Sequence, residues 1–406
     1  MDCQKSKDMT KRILNSLMLL TLLTACENNP WSEKSKADND FKANELRIGT
    51  NISIKSAILN EERPIIISLP KDYTNSEAQY PVLYLTDGLQ NIWHVIGTIE
   101  VLTRTGSIPP MIVVGIESTN RRRDFTFTTS ESKPGSGGGK NFLDFLVSEL
   151  IPYIDSNYRT NSFRVLEGHS LGGLFSASTL IEKPDLFDGF IIMSPAFWWN
   201  GEELTQKVKT FLNTQPTLNK ALFFGIGTYE SGSEYGMRKE LKNFVDVISE
   251  NQPPNLRIKW KEMEKEGHMS STLLSNYHGL KFVFSDMSFP EKLFEDYSDD
   301  EFIEHENKIM AKYGNTAKQS AESYVSLAFN LREKNKFSEA ITVLKRSVEA
   351  YPSDVGLMNL LGNTYEMDNK MEDAVSVYRQ AIETSMKYKY SREEEFKNHI
   401  KRLSNK

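Results

Sequence analysis

The chain has 406 residues, which is long enough for two domains and a large apolar core. Charged residues make up 26% of the sequence, and the formal net charge is -6 at pH 7. Because no basic surplus is available to neutralise phosphates, this charge argues against a nucleic-acid-binding protein.

The N-terminal segment has the pattern of an export signal. Basic residues precede an apolar run at 13–23, which is too short to span a bilayer comfortably. The run ends in the letters LTAC at Cys26, and this ending resembles the bacterial lipobox. The resemblance implies that residues 1–25 are a lipoprotein signal peptide and that Cys26 carries lipid. The protein would then be anchored in the bacterial cell envelope, facing the periplasm or the surface. An ordinary secretory signal or an uncleaved anchor is the alternative.

Two cysteines, Cys3 and Cys26, are the whole thiol content of the chain. The first would leave with the signal peptide and the second would carry lipid, so no disulfide and no cysteine nucleophile or metal ligand is expected. The polar stretch 26–43 that follows is typical of a flexible tether.

The segment 44–285 alternates short apolar runs with amphipathic helical patterns. Continuous apolar runs such as MIVVGI and ALFFGI are typical of strands that are buried on both faces. The pattern predicts a doubly wound, mostly parallel sheet covered by helices, such as 141–154. The predicted strands are 63–69, 82–86, 111–116, 163–167, 189–193, 221–226 and 257–264.

The C-terminal third changes to an all-helical pattern. Residues 286–318 are acidic and are interpreted as a connecting helical segment, solvated enough to let the tail stand apart. Residues 319–406 contain two units offset by 34 positions, in which small residues recur, as Ala328 and Gly362 do. This pattern resembles two tetratricopeptide repeats followed by a capping helix near 391–403.

The stretch EGHSLGG places Ser170 between a strand pattern and a helix pattern. G-x-S-x-G in that context is typical of the nucleophile elbow, a strained turn that exposes the serine at the carboxyl edge of a sheet. Amides at the start of the following helix favour the negative charge that develops there. Ser170 is therefore the predicted nucleophile, with a structural turn as the alternative.

A serine nucleophile needs a base and an acid that orients the base. His268 follows the last predicted strand, where this chain order of serine, acid and histidine places the base. Glu230 follows the preceding strand and is the predicted acid, with Glu234 as the reserve candidate. The other histidines fit this position less well: His94, His169, His278, His305 and His399.

The oxyanion hole requires two backbone donors. The N–H of Leu171 directly follows the nucleophile, and the N–H of Leu89 lies in the loop after the strand VLYLT. We expect these two amides to hold the oxyanion.

The segments YPVLYLTDGLQN, RRRDFTFT, EGHSLGGLFS, SPAFWWN and EGHMSS together resemble the esterase D-like α/β hydrolases. The match spans about 49–284, and the arginine-rich and tryptophan pieces are most similar to the siderophore-esterase branch. The resemblance implies that Arg122, Arg123 and Trp198 line the acyl site. For Trp198 a packed-core position is an equal alternative.

The resulting expectation is an α/β-hydrolase domain with a small tetratricopeptide-like domain, acting as a serine esterase through an acyl-enzyme. The substrate would be a small-molecule or glycan ester, such as a siderophore lactone or an acylated carbohydrate. No cofactor and no metal are predicted, because the histidines lack ligand spacing. The repeats could dock a protein partner. Acyl transfer on the same triad, or an interaction protein on a hydrolase platform, are the alternatives.

Overall fold

The computed structural model describes residues 47–71, 73–230 and 237–404. The predicted signal peptide, lipidation site Cys26 and tether all precede the first of these ranges. The reserve acid Glu234 falls in the gap after residue 230. These predictions therefore lie outside the described residues.

Eight strands form one sheet in the order β1-β2-β4-β3-β5-β6-β7-β8. The strands from β3 to β8 run parallel to their neighbours, whereas β2 is antiparallel to both β1 and β4. The mostly parallel sheet predicted from the sequence is confirmed. The strands are β1 (Thr50–Ser56), β2 (Glu61–Ser68), β3 (Tyr80–Thr86), β4 (Ile112–Ile116), β5 (Thr160–His169), β6 (Gly189–Met193), β7 (Ala221–Gly227) and β8 (Arg257–Met263).

The central strands carry buried side chains on both faces of the sheet. Every residue of β3, β4, β6 and β7 is buried, which is what a run without polar alternation requires. By contrast β1, which the sequence analysis missed, is an edge strand that alternates exposed residues with half-buried Ile52 and Ile54. Two inward side chains are too weak a pattern to distinguish a strand from a loop.

Helices cover both faces of the sheet. On one face α3 to α7 pack against a core that includes Leu166 and Phe224, and on the other α1, α8 and α10 pack against a core that includes Val165 and Phe223. Within the described ranges, no helix is both long and apolar enough to cross a membrane. The helices of this domain are α1 (Gly88–Arg104), α2 (Arg121–Asp124), α3 (Gly139–Phe145), a π-helical segment (Leu146–Leu150), α4 (Ile151–Asn157), α5 (Leu171–Glu182), α6 (Glu203–Asn213), α7 (Met237–Glu250) and α8 (Ser271–Val283), and those that follow are α9 (Glu291–Glu295), α10 (Asp299–Tyr313), α11 (Ala321–Glu333), α12 (Phe337–Ala350), α13 (Val355–Met367), α14 (Met371–Tyr388) and α15 (Glu393–Ser404).

The connecting segment is packed on the sheet domain and does not let the tail stand apart. The ring of Tyr313, on α10, is fully buried with its centroid 4.8 Å from that of Phe163 and 5.1 Å from that of Phe284. Its hydroxyl donates to Asp286 Oδ1 at 2.6 Å. The interpretation of a solvated connector is therefore wrong. The segment is acidic overall, but α10 has one apolar face, which carries Ile309 as well as Tyr313 and which the sequence analysis did not recognise.

The helical tail lies at the amino edge of the sheet. Phe163, which contacts α10, is near the start of β5, and Ser170 follows the end of the same strand. At about 3.3 Å per residue, these positions are roughly 23 Å apart. The tail is therefore part of the folded unit but is remote from the edge where Ser170 lies.

Two helical hairpins, α11–α12 and α13–α14, form the repeat region and share one apolar core with α9 and α15. Gly362 on α13 faces the ring of Tyr378 on α14, where a Cβ would overlap the ring. The fully buried Ala328 occupies the matching place on α11. Small residues thus recur where paired helices cross closely, as the 34-residue offset predicts.

Candidate active site

Ser170 stands on a strained turn between β5 and α5. Its backbone has φ 60° and ψ -117°, a conformation that is costly for a residue with a side chain. Ser170 N–H donates to Met193 O at 2.9 Å, and Ser170 O accepts from Ala196 N–H at 3.0 Å. These bonds to the end of β6 and the following loop hold the turn against its strain, as the nucleophile-elbow pattern requires.

The two glycines of the motif are required by close backbone packing. A Cβ on Gly168 would overlap the carbonyl of Gly172, and a Cβ on Gly172 would overlap the hydroxyl of Thr86 on β3. The strand, the turn and the start of α5 can approach one another only because both side chains are absent. The spacing of glycines around Ser170 therefore reflects the geometry of the turn.

The structure brings His268 and Glu230 together. His268 lies in the loop between β8 and α8, and Glu230 ends a short 3-10 helix after β7. His268 Nδ1 is 2.8 Å from Glu230 Oε2. Because a carboxylate oxygen accepts, Nδ1 carries the hydrogen, and Nε2 is left with a free lone pair. That tautomer is the one a general base needs.

Glu230 is held as an ionised acceptor. Burial alone would raise its pKa, but hydrogen bonds from His268, the Gly227 N–H and Ser194 Oγ together lower the pKa below its usual value. Ser194 Oγ donates to Glu230 Oε1 at 2.7 Å, and Gly227 N–H donates to the same oxygen at 2.8 Å. The second oxygen is thereby left for His268.

Ser194 is a site residue that the sequence analysis missed. It is fully buried, has φ 41° and directly follows β6, the strand between those that carry Ser170 and Glu230. Its position at the carboxyl end of a central strand was the available signal, because parallel strands bring such residues to one edge.

Ser170, Glu230 and His268 lie at the same edge, after β5, β7 and β8. Ser170 Oγ makes no hydrogen bond among the described residues, so the serine and the imidazole are not bonded in this structure. Nucleophile–base contacts are often looser without substrate and tighten in the complex.

The two predicted oxyanion amides differ in their surroundings. Leu171 is the first residue of α5, where amides have no intrahelical acceptor. The Leu89 N–H instead donates to Glu117 Oε1. Burial, and then the nearby Asp87 carboxylate, raise the pKa of Glu117, while the Leu89 bond opposes the rise. The Leu89 amide is therefore occupied in this structure, and the carboxylate must move before an oxyanion can use it. Its role as an oxyanion donor stays a prediction.

The predicted substrate-binding arginines occupy different environments. Arg123 is paired with Glu61 Oε1 at 2.8 Å and with Asp124 Oδ1 at 2.7 Å, and its role in substrate binding stays a prediction. Arg122 is exposed and donates to Pro134 O at 3.2 Å. Its role in substrate binding stays a prediction.

Arg121, which the sequence analysis did not name as a site residue, is paired with the residue that directly precedes α1. Its Nε and Nη2 donate to Asp87 Oδ1 and Oδ2 at 2.7 and 2.9 Å. Asp87 directly precedes α1 and has φ 52°, so this bidentate pair fixes the turn that presents Leu89. The run of three arginines gave no signal of which member pairs with Asp87.

Trp198 is half-buried and packs on the edge of the core. Its Nε1 lies 3.1 Å from Met237 Sδ on α7, and Lys133 Nζ is 6.0 Å from its ring centroid. The neighbouring Trp199 is buried and donates to Thr128 Oγ1 at 3.2 Å. The packed-core alternative thus describes Trp199, while a substrate contact by Trp198 stays a prediction.

No group of three or more His, Cys, Asp and Glu side chains that could hold a metal ion occurs within the part of the chain that the structure describes. The reactive groups that the structure places at this edge of the sheet include a serine, an imidazole, a carboxylate and backbone amides.

Comparisons with known proteins define the class as an ester hydrolase with an α/β-hydrolase fold. The family model described as "Putative esterase" matches residues 56–252, and a tetratricopeptide repeat model matches residues 321–354. The ferri-bacillibactin esterase BesA of Bacillus subtilis is 30% identical over 259 residues, which cover 58% of this chain and 89% of that protein. The chain therefore belongs to this esterase family.

One further relative and one solved structure are also similar to this chain. The siderophore triacetylfusarinine C esterase of Aspergillus fumigatus is 27% identical over 166 residues, covering 40% of this chain and 46% of that protein. The crystal structure of an IroE-like serine hydrolase from Shewanella oneidensis has a TM-score of 0.61 at 24% identity, covering 74% of this chain and 99% of that one. The latter likeness confirms the fold class predicted from the sequence.

Proposed function

We propose that the protein is a serine carboxylic-ester hydrolase that works through an acyl-enzyme on Ser170. The observation that carries the proposal is the 2.8 Å contact between His268 Nδ1 and Glu230 Oε2, at the sheet edge where the strained Ser170 turn lies. This arrangement supplies a nucleophile, a base in the required tautomer and an ionised carboxylate that stabilises the charged imidazole.

The reaction follows from these positions. Ser170 Oγ attacks the ester carbonyl while His268 Nε2 takes its proton, and the alcohol leaves with that proton. Water then attacks the acyl-enzyme, again with His268 as base, and releases the carboxylic acid. The oxyanion of each step is held by the Leu171 N–H and, once Glu117 has moved, by the Leu89 N–H.

The substrate we propose is a siderophore ester. Two relatives carry siderophore esterase names, and the side chains bordering the catalytic groups suit a bulky, partly apolar ligand. Leu89, Tyr229 and Met269, which lie at or next to the oxyanion loop, Glu230 and His268, are 63%, 69% and 56% exposed. Exposed apolar side chains clustered around one site typically mark a binding surface.

A substrate panel tests this proposal. Purified protein should hydrolyse siderophore lactones with a higher kcat/KM than feruloylated sugars or acetylated xylan, because the relative matched at 30% identity over 259 residues is named as a ferri-bacillibactin esterase, whereas the match to a xylanase/feruloyl esterase is 28% over 165 residues. Ser170→Ala is the matched control for each substrate. A preference for the sugar esters would remove the siderophore assignment and leave the serine chemistry standing.

We also propose that the protein is lipid-anchored through Cys26, on the strength of the LTAC sequence alone. Cys26→Ser should move the protein out of the membrane fraction or leave it unprocessed, as shown by fractionation and the mass of the N-terminal peptide. Wild-type protein that is wholly soluble and unlipidated would end this proposal.

A further inference from the structure

The motif EGHSLGG places two buried polar residues beside the nucleophile. Glu167 and His169 are two positions apart on β5, so their side chains point to the same face of the sheet. They are 0% and 1% exposed. Both hydrogen-bond partners lie in the segment that carries the proposed base. The partner of His169 is His268, in the loop after β8, and the partner of Glu167 is Asn276, on the helix α8 that follows this loop. Buried polar groups need such partners, because an unpaired one is costly.

His169 is bonded to the backbone of the proposed base itself. Its Nε2 lies 2.8 Å from the carbonyl oxygen of His268, and the two ring centroids are 4.4 Å apart. A carbonyl can only accept, so Nε2 of His169 carries the hydrogen and donates it. Ser271 Oγ also approaches this carbonyl, at a longer 3.4 Å.

The imidazole of His169 stays neutral in this position. Burial, and then the neighbouring His268, lower the pKa of His169 to about 3. Nδ1 of His169 is buried and has no hydrogen-bond partner among the described residues. The one hydrogen bond that the His169 side chain makes is therefore the bond to the loop that carries His268.

Glu167 makes a second hydrogen bond between β5 and the segment that carries His268. Its Oε2 accepts from Asn276 Nδ2 at 2.8 Å, and Asn276 is a fully buried residue of α8. Burial raises the pKa of Glu167 to about 8, so this contact is uncharged near neutral pH. The strand that carries the nucleophile is therefore hydrogen-bonded to the base-bearing segment at two points.

We propose that His169 is a positioning residue for His268: its Nε2–H bond to the His268 carbonyl fixes the base loop so that the imidazole faces Ser170 while it contacts Glu230. The inference rests on the proposed function and deepens it. The geometry explains why a histidine precedes the serine. The turn that aims Ser170 outward leaves the preceding side chain pointing inward, against the loop that must be held.

A pair of amide substitutions tests this role. In His169→Gln the side-chain nitrogen lies as many bonds from the backbone as Nε2 does, so the donor is kept. In His169→Asn the nitrogen takes the place of Nδ1 and cannot reach the His268 carbonyl. We expect the asparagine variant to lose about tenfold in kcat with little change in KM, the value of one buried hydrogen bond, and the glutamine variant to stay within about threefold of wild type.

The melting temperature of each variant is measured first, and kcat is then compared at a temperature at which all variants are folded. A loss of kcat under these conditions reflects the position of His268 and not a loss of folded protein. His169→Phe keeps a ring and loses the donor, and it replaces the asparagine variant if that protein does not fold. The inference is overturned if the asparagine and phenylalanine variants keep wild-type kcat, or if glutamine fails as badly as asparagine. Failure of the proposed function itself would look different, since Ser170→Ala would then keep full activity.

Discussion

Replacing Ser170 with alanine should lower kcat/KM for activated carboxylic esters by at least ~10³-fold, the loss expected when a triad member is removed. The reason is chemical rather than structural. Ser170 Oγ makes no hydrogen bond among the described residues, so its removal breaks no contact that holds the turn. We expect an unchanged melting temperature, measured beside the kinetics.

Ser178→Ala is the matched control for this substitution. Ser178 is a buried serine of α5 whose hydroxyl donates to Leu174 O at 2.8 Å, within the helix. Its loss should leave kcat/KM close to the wild-type value. Equal losses in the two variants would mean that damage to the turn and helix, rather than removal of a nucleophile, explains the result.

Replacing His268 with alanine should abolish turnover of activated esters almost completely, with a loss of about 10³-fold or more, because no other base among the described residues is bonded to Glu230. The contact between His268 Nδ1 and Glu230 Oε2 is the basis of this expectation. The loss is measured from initial rates of nitrophenyl ester hydrolysis by His268→Ala and by the wild type.

His278→Ala supplies the comparison. His278 is a half-buried histidine of α8 whose Nε2 lies 3.0 Å from Lys261 Nζ, and burial followed by the surrounding lysines lowers its pKa. Its replacement should leave most of the turnover. If His278→Ala were the inactive variant and His268→Ala the active one, the assignment of the base would have to be given up.

Much of the sheet could be predicted because its central strands are short continuous apolar runs. The predicted strand 189–193 coincides with β6, and the others differ from the structure by a few residues at their ends. The candidate serine, acid and histidine could be named for a similar reason, since each follows a recognisable strand, and the structure brings His268 and Glu230 into contact. Edge strand β1 escaped because its alternation is brief and half exposed.

The hydrogen bonds that Glu230 and Leu89 make with distant residues could not be predicted, because they depend on where side chains point across the sheet edge. Nothing local in SPAFWW indicates that Ser194 donates to Glu230. Similarly, the sequence places Leu89 in the loop after β3 but does not reveal that the Glu117 carboxylate accepts from its amide. Both contacts join residues more than 25 positions apart, and only the folded backbone brings them together.

The packing of the C-terminal helices on the sheet domain was not predicted, for a different reason. The segment 286–318 was interpreted from its acidic composition, whereas Ile309 and Tyr313, which bind it to the sheet domain, are few among many charged residues. A one-sided apolar stripe on an acidic helix is easily missed when composition is weighed above periodicity.

Labelling with a fluorophosphonate probe, followed by mapping of the modified peptide, tests the central claim most directly, because such probes react with activated serine nucleophiles. The account predicts one covalent adduct, on the peptide that contains Ser170, and no adduct in Ser170→Ala. Undiminished labelling of the alanine variant, or an adduct on a different serine in the wild type, would contradict it.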